Sequence, residues 1–176
     1  MKFILFIVIS LVLVIGSAEV RHPQNETEQV YSSLNSVTLP TRRELFRHLT
    51  SQQKSAVWRY HLRRETKQHP ELTTEQVAII QEAFTLATAD EFEQRSSLES
   101  LTIEIHEAFS GALAREIFAQ LGNSVKNHHA VDELGCDCSR TSDYCSTSCF
   151  GNGCAVADYG CGTFWVYSCD GLCRVV

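Results

Sequence analysis

All eight cysteines of this chain lie between Cys136 and Cys173, and none occurs in the 135 residues before them. A segment of this size, residues 135–176, buries too little apolar surface to offset its chain entropy. Covalent cross-links make up the difference, each typically contributing about 2–4 kcal/mol. The count is even, so four disulfides are expected among Cys136, Cys138, Cys145, Cys149, Cys154, Cys161, Cys169 and Cys173. The sequence does not choose among the possible pairings. Its one constraint is that Cys136 and Cys138 sit too close together to pair comfortably.

Two other chemistries compete for these thiols. Structural zinc sites favour Cys-x₂-Cys knuckles, and the closest pairs here are Cys136-x-Cys138 and Cys145-x₃-Cys149. Lanthionine bridges would draw on Ser139, Thr141, Ser142, Ser146, Thr147 and Ser148 nearby, but that chemistry is cytosolic. The start of the chain decides for disulfides. Met1-Lys2 is followed by an apolar run from Phe3 to Ile15, broken only by Ser10, and then by Gly16-Ser17-Ala18. That is the pattern of a secretory signal peptide over 1–18, with Glu19 as the expected first mature residue. The run is too short for a membrane-spanning helix, which needs about 20 apolar residues. Export puts the chain in a secreted, periplasmic or extracellular setting, where disulfides persist.

Residues 19–40 are polar and aperiodic, with Pro23 and Pro40, and are expected to form a flexible lead-in. Residues 41–122 carry helical signals. Thr41 with Glu44, and Thr73 with Gln76, fit capping boxes, and Ser51 is placed to cap a helix that ends before Pro70. Val77, Ile80, Phe84 and Ala87 share one helix face, as do Leu98, Leu101, Ile105 and Ala108. Leu113, Ile117 and Leu121 continue the pattern beyond Gly111, and Gly122 is a stop signal. Trp58, Leu62, Phe84, Phe109 and Phe118 are the expected core. Residues 123–134 read as a linker exposed to proteases. The expected fold is therefore an α-helical N-terminal region of three to four helices, followed by a small disulfide-rich β/loop module over 135–176. Thr163 to Ser168 alternates and is rich in β-formers, and Asp170-Gly171 is a turn pair.

Charge is unevenly spread. Residues 41–70 hold eight Lys or Arg against two acids, and residues 71–116 hold ten acids against two Arg. Mutual attraction of two helical halves explains this better than a nucleic-acid surface, since an exported chain does not meet nucleic acid. Among the seven histidines none stands in a catalytic spacing, and His128-His129 falls in the linker. Phosphate loops and nucleophile elbows are absent, so no enzyme, no cofactor and no metal is expected.

The cysteine segment is more specific than its spacing. Cys136-Asp137-Cys138-Ser139, Ser142-Asp143-Tyr144-Cys145, Gly160-Cys161-Gly162-Thr163-Phe164-Trp165-Val166-Tyr167 and Cys169-Asp170-Gly171-Leu172-Cys173 together resemble the bacteriocin fulvocin C-related family. Upstream, Trp58-Arg59-Tyr60-His61-Leu62 and His69-Pro70-Glu71-Leu72 resemble the N-terminal region of its longer members. The tight Cys145–Cys149 loop and the Arg174-Val175-Val176 tail depart from the pattern without removing a cysteine. The resemblance implies a bacterial, membrane-active antimicrobial module released from a precursor whose helical region is a propeptide or carrier. A target-cell membrane or envelope component, a maturation protease and an immunity protein are the implied partners. Tyr159, Phe164, Trp165, Val166 and Tyr167 are then the membrane or partner patch, or else simply the module's own small core. The alternative is an uncleaved envelope or extracellular binding protein with a disulfide-stabilised recognition head. A strong hydrophobic contact between helices and head favours that alternative.

Overall fold

The structure is a computed structural model that describes residues 23–95, 97–122, 135–151 and 153–173. The expected signal peptide over 1–18 and the expected linker over 123–134 lie outside the described residues. Helices fill the first part of the chain: α1 (Pro23–Asn35), α2 (Leu39–Arg47), α3 (Ser51–Gln68), α4 (Thr74–Leu86), α5 (Glu91–Gln94), α6 (Leu98–Ala108) and α7 (Gly111–Ala114). The last runs directly into a π turn, Arg115–Ala119. The second part holds short strands: β1 (Cys149–Phe150), β2 (Ala157–Cys161), β3 (Tyr167–Cys169) and β4 (Leu172–Cys173). β1 pairs with β4 and β2 with β3, both antiparallel, the second pair carrying a bulge. A helical region followed by a disulfide-rich strand-and-loop region is thus the architecture. Among the described residues no helix is long and apolar enough to cross a membrane.

Several local expectations need correction. The segment 19–40 is not a loose lead-in, because α1 occupies most of it and buries Tyr31 and Leu34 against the rest of the helices. Two large side chains three apart suffice to hold an otherwise polar helix when a neighbour covers them. Helix α2 starts at Leu39, with Thr38 as its N-cap and Pro40 in the first turn, so the Thr41–Glu44 box does not form. Glu44 instead bonds Arg47 and His48. One residue before the expected cap, Thr50 opens α3 with a full capping box to Gln53. The Thr73–Gln76 box opens α4 as expected.

Arg42 is the chief buried charge of the helical part. Its guanidinium donates to the carbonyls of Leu34 and Leu121, at 2.8 and 2.6 Å, and also to those of Asn35 and Val37. It thereby satisfies free carbonyls at the end of α1 and near the end of the helical region, where the backbone dipoles favour a cation. Gly122 follows with φ +86°, and a Cβ there would lie 2.3 Å from Asn35 Oδ1, so the chain can turn past α1 only as glycine.

Arginine–ring contacts link the two charged halves. Arg59 and Arg63 stand over the ring of Phe84, at 4.1 and 4.8 Å. This leaves Phe84 half-buried, whereas Trp58, Leu62, Phe109 and Phe118 are core.

The main correction concerns the segment 163–168. Thr163–Trp165 forms a 3₁₀ turn rather than a strand, with Phe164 and Trp165 both left-handed at φ 56° and 60°. Two successive non-glycine residues in that region cost on the order of 1–3 kcal/mol each. The cost is offset by burial: Phe164 and Trp165 are 1% and 0% exposed. They belong to the same apolar cluster as Phe46, Trp58, Leu101 and Ile117 of the helices. Beyond a small cluster of Cys136, Cys161 and Cys169, the large apolar side chains of the head therefore share a core with the helices.

Candidate functional site

All eight cysteines are paired, as Cys136–Cys154, Cys138–Cys149, Cys145–Cys173 and Cys161–Cys169. The Cys145–Cys173 link crosses the first two, so three bridges interlock, while Cys161–Cys169 fastens β2 to β3. In the chain-entropy model, a loop of 28 residues (Cys145–Cys173) is stabilised by about 3.6 kcal/mol and one of 8 (Cys161–Cys169) by about 2.5. Asp143 shapes the tight loop between Cys145 and Cys149 by accepting both backbone N–H groups, at 2.8 and 2.7 Å. Asp137 accepts the N–H of Cys173, and Asp170 accepts from Arg140. Three acids of the head thus serve its loops, where few regular ladders exist to satisfy the backbone.

The proposed membrane or partner patch is not on the surface. Phe164, Trp165, Val166 and Tyr167 are buried, and Tyr159 is half-buried. Trp165 stands edge-on to Phe46 and Trp58, with centroids 5.5 and 6.1 Å away. Phe164 packs on Trp58 at 5.3 Å and on Phe92 at 6.4 Å. Tyr159 stacks on Phe46, and Lys54 caps its ring at 4.7 Å. Edge-to-face pairs add about 0.5–1.5 kcal/mol beyond their buried area. The aromatic residues that the sequence offers to a membrane are spent on the helices. Phe150, in β1, and Val156, just before β2, are the head's exposed large hydrophobics among the described residues.

Polar contacts reinforce the joint. The Trp165 indole donates to the Ala119 carbonyl at 2.8 Å, and Arg43 donates to the Asp137 carbonyl at 3.1 Å. Burial pulls the Arg43 guanidinium down to about 10. At the centre lies Thr163, whose hydroxyl meets Thr102 of α6 at 2.8 Å, Tyr144 at 2.8 Å and Ser142 at 3.1 Å. The directions of these bonds are determined. Thr102 gives its proton to the Leu98 carbonyl, so it accepts from Thr163. With its single proton given to Thr102, Thr163 accepts from Ser142 and Tyr144, while Ser142 Oγ also accepts the Thr163 backbone N–H. One proton given and two accepted exhaust a hydroxyl. Ser142, Tyr144, Thr163 and Thr102 are all buried. The Ser-Asp-Tyr-Cys and Cys-Gly-Thr stretches are therefore architectural: they connect loops of the head to each other and to α6. No sequence signal singled out Thr102, which looks like an ordinary helix residue until Thr163 is placed against it.

An open groove of about 830 Å³ is lined by Arg59, Arg63, Arg64 and Lys67 of α3 among others. Its arginines already cover the rings of Phe84 and Tyr31, which accounts for their place in the packing. Two of the three groupings of metal-ligating side chains among the described residues contain cystine sulfurs, which are not ligands while oxidised. The third, Glu65, His69 and Glu116, lies on the helical body where α3 faces the π turn. Comparison with family models, with curated proteins and with solved structures finds no match to this chain.

Proposed function

We propose that the chain acts as an intact exported protein, in which the disulfide-stapled head is a recognition element for an envelope or extracellular component and the helices are its structural body. The observation that carries this reading is the burial of Phe164 and Trp165 between Phe46, Trp58 and Phe92. A head released by cutting between residues 123 and 134 would expose these rings, and the helices would lose the centre of their core. Disulfides suit an oxidising compartment, which supports export. The exposure of Phe150 and Val156 supports a partner contact on that side of the head.

The same burial supports a second reading. Helices that cover Phe164, Trp165 and Val166 would mask a membrane-active module until a protease removed them, as the resemblance to fulvocin C-related bacteriocins implies. Mass spectrometry of the secreted protein decides between the two. An intact chain starting near Glu19, whose oxidised form leaves bacterial membranes sealed, is expected. Accumulation of a free 135–176 module that permeabilises bacteria would overturn the first reading in favour of the second.

A further inference from the structure

We propose that Glu65, His69 and Glu116 form a binding site for a divalent transition-metal ion of the zinc class, joining the end of α3 to the π turn. Their ligand atoms all lie within 4.8 Å of one another. His69 Nε2 is 3.8 Å from Glu65 Oε2 and 3.8 Å from Glu116 Oε1. Both distances are beyond hydrogen-bond reach. Zinc bonds to imidazole nitrogen and carboxylate oxygen at about 2.0–2.2 Å, which sets tetrahedral ligand atoms about 3.4 Å apart. The cluster thus needs to close by about half an ångström along its two His69 edges.

The other nitrogen of His69 fixes the tautomer. Nδ1 lies 2.8 Å from Glu71 Oε1, so in the neutral ring its proton goes to Glu71 and the Nε2 lone pair faces the two carboxylates. A carboxylate behind a histidine ligand orients the ring and strengthens its donor nitrogen. Nearby His61 is held in the opposite sense. Its Nε2–H donates to the Glu116 backbone carbonyl at 3.2 Å, and its Nδ1 accepts the Tyr31 hydroxyl at 3.0 Å. His61 is therefore a spacer that anchors the π turn and leaves the gap to His69.

Charge and chain geometry agree with a cation. Glu65 is 4% exposed, and its carboxylate is flanked by His61 at 3.4 Å and His69 at 3.8 Å. A divalent ion between Glu65 and Glu116 makes a neutral site. Glu116 reaches it because the backbone widens into a π turn at Arg115–Ala119, a feature that recurs at functional sites. Glu116 is half-exposed, so the ion has a path in, and three protein ligands leave a fourth position for water.

The competing occupant is a proton on His69, whose pKa is raised chiefly by Glu71. Calorimetric titration of the untagged, oxidised protein with ZnCl₂ alone separates the two. One equivalent of zinc is expected to bind and to raise the thermal midpoint, with Ca²⁺ failing to displace it. Glu116→Gln and His69→Gln are expected to abolish that binding, and Glu71→Gln to weaken it about tenfold or more. Replacing His128 and His129 by alanine is expected to leave it unchanged. Cobalt in place of zinc reports four-coordinate geometry in its visible spectrum. Absence of zinc binding, or binding that survives in folded His69→Gln and Glu116→Gln, or full competition by Ca²⁺, would overturn the assignment.

Discussion

The indole N–H of Trp165, in the cysteine segment, donates to the backbone carbonyl of Ala119, the last residue of the π turn, across 2.8 Å. That bond fixes the 3₁₀ turn of the head to the end of the helical body, between a buried indole and a half-buried carbonyl. With Phe46 and Trp58 around the ring, it makes Trp165 the residue through which each part completes the other.

Trp165→Ala is expected to cost about 3–5 kcal/mol, because the cavity opens in the shared core. Trp165→Phe keeps a ring but leaves the Ala119 carbonyl without its donor, and is expected to cost about 1–3 kcal/mol. Guanidinium denaturation followed by far-ultraviolet circular dichroism measures both. The helical signal must shift in each variant, although the substitution lies outside the helices.

Thr163→Val removes the hydroxyl that accepts from Ser142 and Tyr144 and donates to Thr102. An expected loss of about 1–3 kcal/mol follows from the buried hydroxyls left unpaired. In a double-mutant cycle with Thr102→Val, the two losses should fail to add by at least about 0.5 kcal/mol, since the residues share one bond. Simple additivity would mean that α6 and the head are not coupled through this network.

Gly162 sits at φ +67°, and a Cβ there would lie 2.6 Å from Ser142 Cβ and 2.7 Å from Tyr167 Cδ2. Gly162→Ala combines a disfavoured backbone with a clash that neither neighbour relieves cheaply. It should destabilise by at least about 2 kcal/mol, read as a lower denaturation midpoint with unchanged slope. Gly153, also at positive φ but with open space around it, should tolerate alanine better.

Reducing the four disulfides should lower the melting temperature of the helices as well as that of the head. Four links at about 2 kcal/mol or more each, in a chain of this length, correspond to a drop of about 15 °C or more in the helical transition. An unchanged helical melt after complete reduction would separate the two parts.

The larger features were legible because they follow from local rules. The cysteine cluster announced its cross-links, the Thr73–Gln76 box opened α4, and Leu98, Leu101 and Ile105 gave the buried face of α6. What escaped depends on contacts between distant segments. Helix α1 looks polar, and the cover supplied by α3 and α2 gives Tyr31 and Leu34 a place to bury. Thr163 to Ser168 alternates like a strand, yet burying Phe164 and Trp165 together forces both into the left-handed region. The bridge pairing and the Glu65–His69–Glu116 cluster were invisible for the same reason. His69 is four residues from Glu65 on the chain, but Glu116 arrives only through the π turn.

Cutting the chain between its two parts is the most direct measurement. A specific protease site placed within residues 123–134, cleaved in the folded and oxidised protein, leaves the helical body and the head joined only by the contacts described above. If Trp165 and Phe164 complete a common core, the two fragments should co-elute as a one-to-one complex on size exclusion, and the oxidised 135–176 peptide alone should lack fixed structure by NMR. Fragments that separate on the column, each keeping its native spectrum, would contradict the shared core and return the head to the status of an independent module.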